Sequence, residues 1–351
     1  MTVCFDTPMT VAGAGSVGCY VGAWLAAAGR DVTLLLRPAL AEAIAKQGMH
    51  VSDLEGRDMA LPAHAIKCVA DPETALRGAQ IVLVTVKSHD TEAMAELIGH
   101  HAPKDALVVS LQNGIANASV LRRVLGPGAR VIDAMVPFNV VQTIEANKAP
   151  HFHRATGGTI QLETGVAALR GILDVPGAPF AEHEDIDAAL WGKLLVNLNN
   201  ALNALSNLPL AEQLGDRRWR LLISRQLREG LAVLRAAGIR PAPFEGVPQR
   251  LMAFALRLPD ALFRVAAKGM HSVDKNARSS MWEDLRMGRP TEVDYLQGEI
   301  VALAARHGVE VPMNRRVLEL VKSAEKSKKG SPGLAPEVVG ATRDEGAHEA
   351  L

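Results

Sequence analysis

The stretch Gly13-Ala14-Gly15-Ser16-Val17-Gly18 reads GAGSVG and decides the fold of the first half of the chain. Its glycines match the spacing G-x-G-x-x-G, and a helical run, CYVGAWLAAAG, follows directly. Glycines at this spacing permit a tight turn and a close approach of the backbone to a pyrophosphate, whose charge is favoured at a helix N-terminus. A glycine turn can also serve packing alone, so the neighbouring elements decide between the two interpretations.

Apolar runs alternate with helical patterns from residue 10 to about residue 137. Continuous apolar strands are typical of a parallel sheet covered by helices on both faces. We therefore predict an α/β fold in which residues 1–185 form a Rossmann-type, doubly wound, dinucleotide-binding domain. Besides the short MTVA before the glycines, the predicted strands are 32–36, 81–86, 107–111 and 130–136, with further strand in 156–163.

The second strand ends in Leu35-Leu36-Arg37 and lacks the acid that usually holds a ribose 2′-hydroxyl at this place. Asp31 lies at the other end of the strand. An arginine can pair with a 2′-phosphate, whereas an acid would repel it. Arg37 therefore predicts NADP(H) over NAD(H), with a solvated surface arginine as the alternative.

The second half of the chain predicts a mostly α-helical C-terminal domain over residues 186–325. One helix is indicated by Trp219, Ile223, Leu227 and Leu234 at helical spacing. Another is predicted to begin at a cap formed by Thr291 and Asp294 and to end near His307-Gly308. Residues 326–351 are rich in Lys, Ser, Gly, Pro and Glu, which predicts a loose tail.

The segment LWGKLLVNLNN, residues 190–200, places Lys193, Asn197 and Asn200 on nearly the same face of an apolar helix. A positioned ammonium can stabilise the charge that develops on a ketone oxygen as hydride arrives, and it can donate a proton. Burial would lower the pKa of a lysine and make that proton easier to give. The alternative is a lysine that buries its stem and extends its head to solvent.

Polar residues also follow the predicted strands. Lys87 in VTVKSHDT and Asn113 in SLQNG would lie at the carboxyl edge of the sheet, where ligands bind in this architecture. Asn113-Gly114 is equally compatible with an ordinary turn. Glu292, at the predicted start of a helix, could simply offset the helix dipole.

Taken in order, these segments resemble the ketopantoate reductase (2-dehydropantoate 2-reductase) family between about Thr10 and Lys322. The resemblance rests on GAGSVG, LLLR, VTVK, LQNG, LWGKLLVN, SSMWEDLRMGRPTEVDY and HGVEVPMN. It implies that NADPH reduces ketopantoate to pantoate, a step of pantothenate biosynthesis.

The resemblance also implies roles for individual residues. Lys193 would be the catalytic acid, and Glu292 would orient the reacting groups. The cofactor would be held by Gly13, Ala14, Gly15, Ser16, Val17, Gly18, Arg37, Lys87 and Asn113, and the substrate by Lys87, Asn113, Asn197, Asn200 and Ser280. The family usually has a second asparagine eight residues after the lysine, where this chain has Ala201, so Asn200 is the expected substitute.

Several alternatives remain open. The chain could reduce another 2-oxo acid, could be a β-hydroxyacid dehydrogenase, or could be a non-catalytic NADP(H)-binding regulator. Charge is balanced at 38 basic and 38 acidic residues, which argues against a nucleic-acid or membrane partner. The three cysteines have no metal-ligand spacing, and neither a signal peptide nor a membrane span is apparent. We expect a cytoplasmic protein without a metal, and a homodimer.

Overall fold

The computed structural model describes residues 4–266 and 277–341, and the chain divides into two compact units, residues 1–186 and 187–351. The N-terminal unit is a mixed α/β structure. Its strands are β1 Met9–Ala12, β2 Val32–Leu35, β3 Met49–Asp53, β4 Asp58–Leu61, β5 Lys67–Val69, β6 Ile81–Val84, β7 Leu107–Ser110, β8 Arg130–Met135, β9 Val140–Thr143, β10 His151–Arg154, β11 Ile160–Glu163 and β12 Phe180–His183.

Eight of these strands form one sheet in the order β12-β11-β8-β7-β6-β1-β2-β5. The six strands from β8 to β5 are parallel, and their order corresponds to the 3-2-1-4-5-6 order of a dinucleotide-binding sheet. β11 pairs antiparallel with β8 and extends that edge. Strands β1, β6 and β7 are fully buried, as their continuous apolar runs predict. The predicted Rossmann-type fold is confirmed.

The helices of the N-terminal unit are α1 Ser16–Ala27, α2 Pro38–Gln47, α3 Pro72–Leu76, α4 Thr91–His101, α5 Asn117–Leu125 and α6 Ala167–Leu173. Helix α1 packs against β1 and β2 on one side and against a second sheet on the other. A helix enclosed in this way must be apolar around its whole circumference, and SVGCYVGAWLAA meets that requirement. The glycine turn is therefore anchored to a largely buried helix.

The second sheet, which was not predicted from the sequence, has four strands in the order β4-β3-β10-β9. Alternate residues such as Met49, Val51 and Phe152 are buried, whereas His50 and His151 stay partly exposed on the opposite face. Short strands with one polar face give a weak sequence signal, because they contain few apolar residues in a row.

The C-terminal unit is helical in its described residues. Its helices are α7 Ile186–Asn197, α8 Asn199–Ser206, α9 Leu210–Gly215, α10 Arg217–Ala236, α11 Gln249–Ala255, α12 Asp260–Ala266, α13 Ser280–Arg286, α14 Gln297–His307, α15 Pro312–Ser327 and α16 Pro336–Gly340. The periodic run from Trp219 to Leu234 lies in α10, as predicted. The helix predicted to be capped by Thr291 and Asp294 instead begins at Gln297, because a 3₁₀ turn, Val293–Tyr295, precedes it.

The prediction of a loose tail is wrong for residues 326–341. Helix α16 packs against α10 and α15, and Val339 is fully buried. The Leu334 amide donates to the Leu205 carbonyl at 2.8 Å, and the Ser331 hydroxyl donates to the Ala204 carbonyl at 2.6 Å. The prediction failed because overall composition does not show that a few apolar residues are enough to pack a short segment against the helices. Residues 342–351 of the predicted tail lie outside the described residues.

No helix within residues 4–266 and 277–341 is both long and apolar enough to cross a membrane.

Candidate active site

The glycine turn after β1 has the geometry that its motif predicts. Gly13 has a φ of +73°, and a Cβ atom there would lie 2.0 Å from Cγ1 of Val86. A Cβ atom on Gly18 would lie 2.4 Å from Oγ1 of Thr85, so α1 packs directly against the end of β6. At Gly15, by contrast, no atom of the described residues beyond its chain neighbours comes within 4 Å of the Cβ position. The turn thus packs closely on the protein side and leaves open space beside Gly15.

Helix α1 starts at Ser16, and its N-cap residue Gly15 provides no side-chain hydrogen bond. The first amides of a helix have no partner within the helix, and they favour an anionic ligand. This uncapped N-terminus next to the open space at Gly15 fits the pyrophosphate of a dinucleotide. Gly13, Ala14, Gly15, Ser16, Val17 and Gly18 would form the cradle.

Arg37, Lys87 and Asn113 lie at the same edge of the sheet as the glycine turn. They follow β2, β6 and β7, which with β1 are four adjacent strands in the order β7-β6-β1-β2. Arg37 is exposed and immediately precedes α2, whose first residue is Pro38. Asp31, at the opposite end of β2, pairs with Lys67 at 2.7 Å. The charge next to a ribose bound at the glycine turn would therefore be that of Arg37.

A buried hydrogen-bond network that was not predicted from the sequence joins the loops that carry Lys87 and Asn113. The Gln112 amide donates to the Thr91 hydroxyl at 2.7 Å and to the Val86 carbonyl at 3.0 Å. Thr91 donates to Asn117 at 2.9 Å, and the Asn117 amide donates to the Ser88 hydroxyl at 3.2 Å. These residues are ordinary polar side chains in loops and at helix starts, so their types alone did not predict the network.

The Asn113 backbone is held by the same network. Its carbonyl accepts hydrogen bonds from the Asn117 amide at 2.5 Å and from the Ser88 hydroxyl at 3.1 Å. Two strand-end loops are thereby fixed relative to each other, which would keep the Lys87 and Asn113 side chains in place.

Lys193 lies in the middle of α7 in the C-terminal unit. Burial of its ammonium lowers the Lys193 pKa from 10.5 to about 8, while the charge of Glu245 raises that pKa. The Lys193 residue as a whole keeps partial exposure. The Nζ atom also lies 4.9 Å from the centre of the Phe244 ring. Phe244 and Glu245 were not predicted from the sequence, because they lie in a proline-rich segment about fifty positions away.

Helix α7 ends at Asn197, and α8 begins at Asn199, so the predicted continuous helix is interrupted at Leu198. The Leu198 carbonyl accepts a hydrogen bond from the Gln297 side-chain amide at 2.7 Å, which provides a partner at the interruption. Asn197 is buried, and Asn200 is partly exposed on α8. Ala201, where the family resemblance leads one to expect asparagine, is fully buried.

Ser280 is the first residue of α13, which packs against α8. The preceding residue, Ser279, caps this helix and accepts a hydrogen bond from the Trp282 amide at 3.2 Å. Ser279 is itself tied to α8, since its amide donates to the buried Asn203 side chain at 2.8 Å and its hydroxyl donates to the Asn200 carbonyl at 2.9 Å. Helix α8 thus fixes where Ser280 begins α13.

Glu292 is buried directly before the 3₁₀ turn Val293–Tyr295, rather than at the start of an α-helix. Its neighbour Thr291 donates from both its amide and its hydroxyl to the Glu325 carboxylate, at 2.7 and 2.6 Å. A carboxylate before a single 3₁₀ turn gains little from a helix dipole, which weakens the purely structural explanation of Glu292.

Among the described residues, no group of three or more His, Cys, Asp or Glu side chains could hold a metal ion.

A Rossmann-type sheet with G-x-G-x-x-G at its switch point, followed by a helical unit, is the architecture of a dinucleotide-dependent oxidoreductase. Residues 9–165 match the family model of ketopantoate reductase PanE/ApbA, and residues 185–325 match the model of its C-terminal domain. The chain belongs to the ketopantoate reductase family.

Individual relatives agree with this assignment. A 2-dehydropantoate 2-reductase of Archaeoglobus fulgidus is 28% identical, over 90% of this chain and 97% of the relative. The crystal structure of a PanE/ApbA family ketopantoate reductase from Ralstonia eutropha is 31% identical, with a TM-score of 0.75 over 92% of this chain and 99% of that one. D-mandelate dehydrogenase, solved with NADH and anilino(oxo)acetate, shares the fold at 20% identity, with a TM-score of 0.74 over 92% of this chain and 99% of that one.

Proposed function

We propose that this protein reduces 2-dehydropantoate (ketopantoate) to pantoate with NADPH. The observation that carries the proposal is Lys193, a desolvated lysine with a pKa of about 8, at the position of the catalytic lysine implied by the family resemblance. A general acid is most effective when its pKa lies near the working pH. Surface lysines, at about 10.4, are poorer proton donors by this criterion.

Each remaining polar residue would have a defined part in this reaction. When bound, the reduced nicotinamide supplies the hydride. The Lys193 ammonium stabilises the developing alkoxide and donates the proton to it. Asn197, Asn200 and Ser280 donate hydrogen bonds to the hydroxyl or carboxylate of the substrate, and Glu292 orients the reacting groups. Lys87 and Asn113 serve both substrate and cofactor.

The preference for NADPH over NADH rests on Arg37. Its guanidinium follows β2 at the carboxyl edge of the sheet, where a 2′-phosphate would find a bidentate partner. The alternative, a solvated arginine without a ligand, predicts similar efficiency with the two cofactors.

A second candidate is a reductase of another 2-oxo acid, and Ala201 favours it. Because Ala201 is fully buried and apolar, it offers no hydrogen bond to the substrate from that position. Asn200, one position earlier and partly exposed, is our candidate substitute. The chemistry at the ketone would be unchanged, and only the groups that recognise the rest of the substrate would differ.

The deciding experiment is NADPH oxidation with ketopantoate beside pyruvate, 2-oxoisovalerate and bulkier 2-oxo acids. We expect the highest kcat/KM for ketopantoate, and a clear preference for another 2-oxo acid would support the second candidate. Turnover of β-hydroxy acids in the reverse direction alone would indicate a β-hydroxyacid dehydrogenase. Binding of NADPH without turnover of any of these compounds would indicate a regulator.

We also propose that the enzyme acts in the cytoplasm. Cys4, Cys19 and Cys68 are all free thiols, as is usual in a reducing compartment.

A further inference from the structure

Segment 240–248 approaches α7 directly beside Lys193, at Gly192. A Cβ atom on Gly192 would lie 2.3 Å from the Ala242 carbonyl oxygen, so only glycine permits this approach. The buried Gln249 side chain donates to the Ala242 carbonyl at 2.7 Å and to the Gly192 carbonyl at 3.3 Å. The Ala242 amide donates to the Ala188 carbonyl at 2.8 Å. The Ala242 amide thus joins the segment to α7 directly, and the Gln249 side chain bridges the two by donating to a carbonyl of each.

The segment continues into a tight turn at residues 244–247. The Val247 amide donates to the Phe244 carbonyl at 2.9 Å, and the Phe244 amide donates to the Val247 carbonyl at 3.1 Å. The two central residues, Glu245 and Gly246, have φ angles of +49° and +78°. This is the pattern of a two-residue type I′ turn, whose first central position strongly favours asparagine, aspartate or glycine.

Glutamate is an unfavourable residue for that first position. A non-glycine residue in the left-handed region carries a conformational cost, and asparagine bears it best. Strained backbone of this kind concentrates at functional sites. The side chain at Glu245 therefore calls for an explanation other than turn formation.

The two residues of the turn that act on Lys193 do so in the same direction. The Phe244 ring lies 4.9 Å from Nζ, and the electron-rich face of an aromatic ring attracts an ammonium. The Glu245 carboxylate favours the charged lysine electrostatically and opposes the effect of burial on the Lys193 pKa. The other charged residues on α7, on this segment and on α11 are Asp187, Arg240, Arg250. Glu245 lies in the turn itself, and its charge raises that pKa.

We propose that turn 244–247 is a positioning element for Lys193, in which the Phe244 ring and the Glu245 carboxylate hold the side chain in place as an ammonium ready to donate its proton. This inference rests on the proposed function for its catalytic meaning. Neither residue is assigned contact with the substrate. The turn instead offsets the desolvation that the rest of the site imposes on the lysine.

The test compares Glu245→Asn and Phe244→Leu with the parent protein by two measurements. The first is NMR titration of Lys193 in protein labelled with ¹³C-lysine, with its resonance assigned by its loss in Lys193→Arg. The second is the pH profile of kcat for the best 2-oxo acid. Glu245→Asn places a favoured residue in the turn and removes the charge, so a purely structural role predicts unchanged or higher thermal stability and an unchanged titration.

We expect both substitutions to move the Lys193 titration, and the fall in kcat at alkaline pH, to lower pH. At pH 9 the kcat should drop about three- to tenfold relative to the parent, because each pKa unit changes the protonated fraction up to tenfold there. Glu245→Asp retains the charge and should recover most of the parent profile. Glu319→Gln, which removes one exposed charge from α15 in the same unit, is the matched control and should change nothing.

The inference is overturned if the Lys193 resonance titrates at the parent pH in both turn variants, or if Glu319→Gln moves it equally. The NMR measurement needs no turnover. If the parent reduces no 2-oxo acid and yet the titration shifts as expected, the proposed function fails while the coupling of turn and lysine stands. If turnover is normal and the titration does not shift, the proposed function stands and the coupling of turn and lysine fails.

Discussion

At the scale of single residues, the Lys193 ammonium is unusual because two opposing effects act on its pKa. Burial makes it a better proton donor, whereas Phe244 and Glu245 keep it charged. A pKa of about 8 results from this opposition, well below the 10.5 of a free lysine. Without the attraction, the pKa would be lower and a smaller fraction of the lysine would carry the proton to be given. Without the burial, it would hold its proton too tightly.

Reduction should therefore depend on pH in a defined direction. Because the ammonium is the reactive form, kcat should be highest below the Lys193 pKa and should fall as pH rises through about 8. Lys193→Ala should lower kcat by about 10²–10⁴ and abolish that alkaline limb. Steady-state kinetics between pH 6 and about 10, with NADPH binding measured by fluorescence as a control, would check this. Near-normal turnover in a folded Lys193→Ala variant would exclude the lysine as the acid.

Arg37 gives a second prediction at this scale. Arg37→Ala should raise the KM for NADPH by about ten- to a hundredfold, since a charge-assisted bond contributes about 1.5–3 kcal/mol. The KM for NADH should hardly change, because NADH lacks the 2′-phosphate. Arg250→Ala removes an exposed arginine from the C-terminal unit and is the control. Equal kcat/KM with both cofactors in the parent, unaffected by Arg37→Ala, would contradict the proposed preference.

At the scale of elements, the contact between α7 and segment 240–248 depends on the absence of a side chain at Gly192. Gly192→Ala should force the segment away from α7 and destabilise the protein by about 1–3 kcal/mol. The alkaline limb of kcat should move to lower pH as Phe244 and Glu245 retreat. Gly298→Ala in α14 is the control, since its Cβ would meet Asp294 and Val293 only at 3.7 Å, an ordinary van der Waals distance. A stable Gly192→Ala variant with the parent pH profile would show that the contact is unimportant.

Elements were predictable from the sequence where their signal was local. The apolar strands β2, β6, β7 and β8 were found within two residues of their ends, because a strand buried on both faces is mostly apolar. The glycine spacing located the turn after β1. The strands β3 and β10 escaped, since half of their side chains are polar and their pairing joins residues about a hundred positions apart. For the same reason nothing in the sequence linked Glu245 to Lys193.

The partly exposed histidines on the four-stranded sheet β4-β3-β10-β9 should make stability depend on pH. The His50 and His151 rings are stacked 4.2 Å apart, and Ser52 Oγ lies 2.7 Å from Nε2 of His151 and 2.8 Å from Nδ1 of His153. Burial, followed by the charges of His50 and His153, lowers the His151 pKa. A lowered histidine pKa contributes stability that is present above the ordinary value of about 6.5 and is lost as pH falls through the folded-state pKa.

The urea midpoint should consequently decrease between pH 7.5 and pH 5.5, roughly the range in which histidine titrates. His151→Gln, which cannot be protonated, should show a smaller decrease. His64→Gln, at an exposed position outside the sheet, should behave like the parent. An identical decrease in the parent and in His151→Gln would assign the pH dependence to other groups.

At the scale of the whole molecule, the candidate residues implied by the family resemblance are divided between the two units. Their surroundings are known within each unit. In the N-terminal unit the glycine turn, Arg37, Lys87 and Asn113 share one sheet edge, as parallel strands require. In the C-terminal unit, α7 and α8 carry Lys193, Asn197 and Asn200, and α8 anchors the start of α13. The roles of these residues, and the homodimer, stay predictions.

The C-terminal segment, which was predicted from its composition to be loose, should contribute measurably to stability. A chain that ends at residue 329 would lose the fully buried Val339 and the hydrogen bonds of Ser331 and Leu334 to α8. Burial of one valine contributes about 1.5–3 kcal/mol, so Tm should fall by roughly 5–10 °C. Because α8 also carries Asn200 and holds Ser280 in place, the KM for the 2-oxo acid should rise as well. A chain that ends at residue 341 keeps all of these contacts and is the matched control. Equal Tm values for the two shortened chains would mean that the segment contributes nothing to the fold.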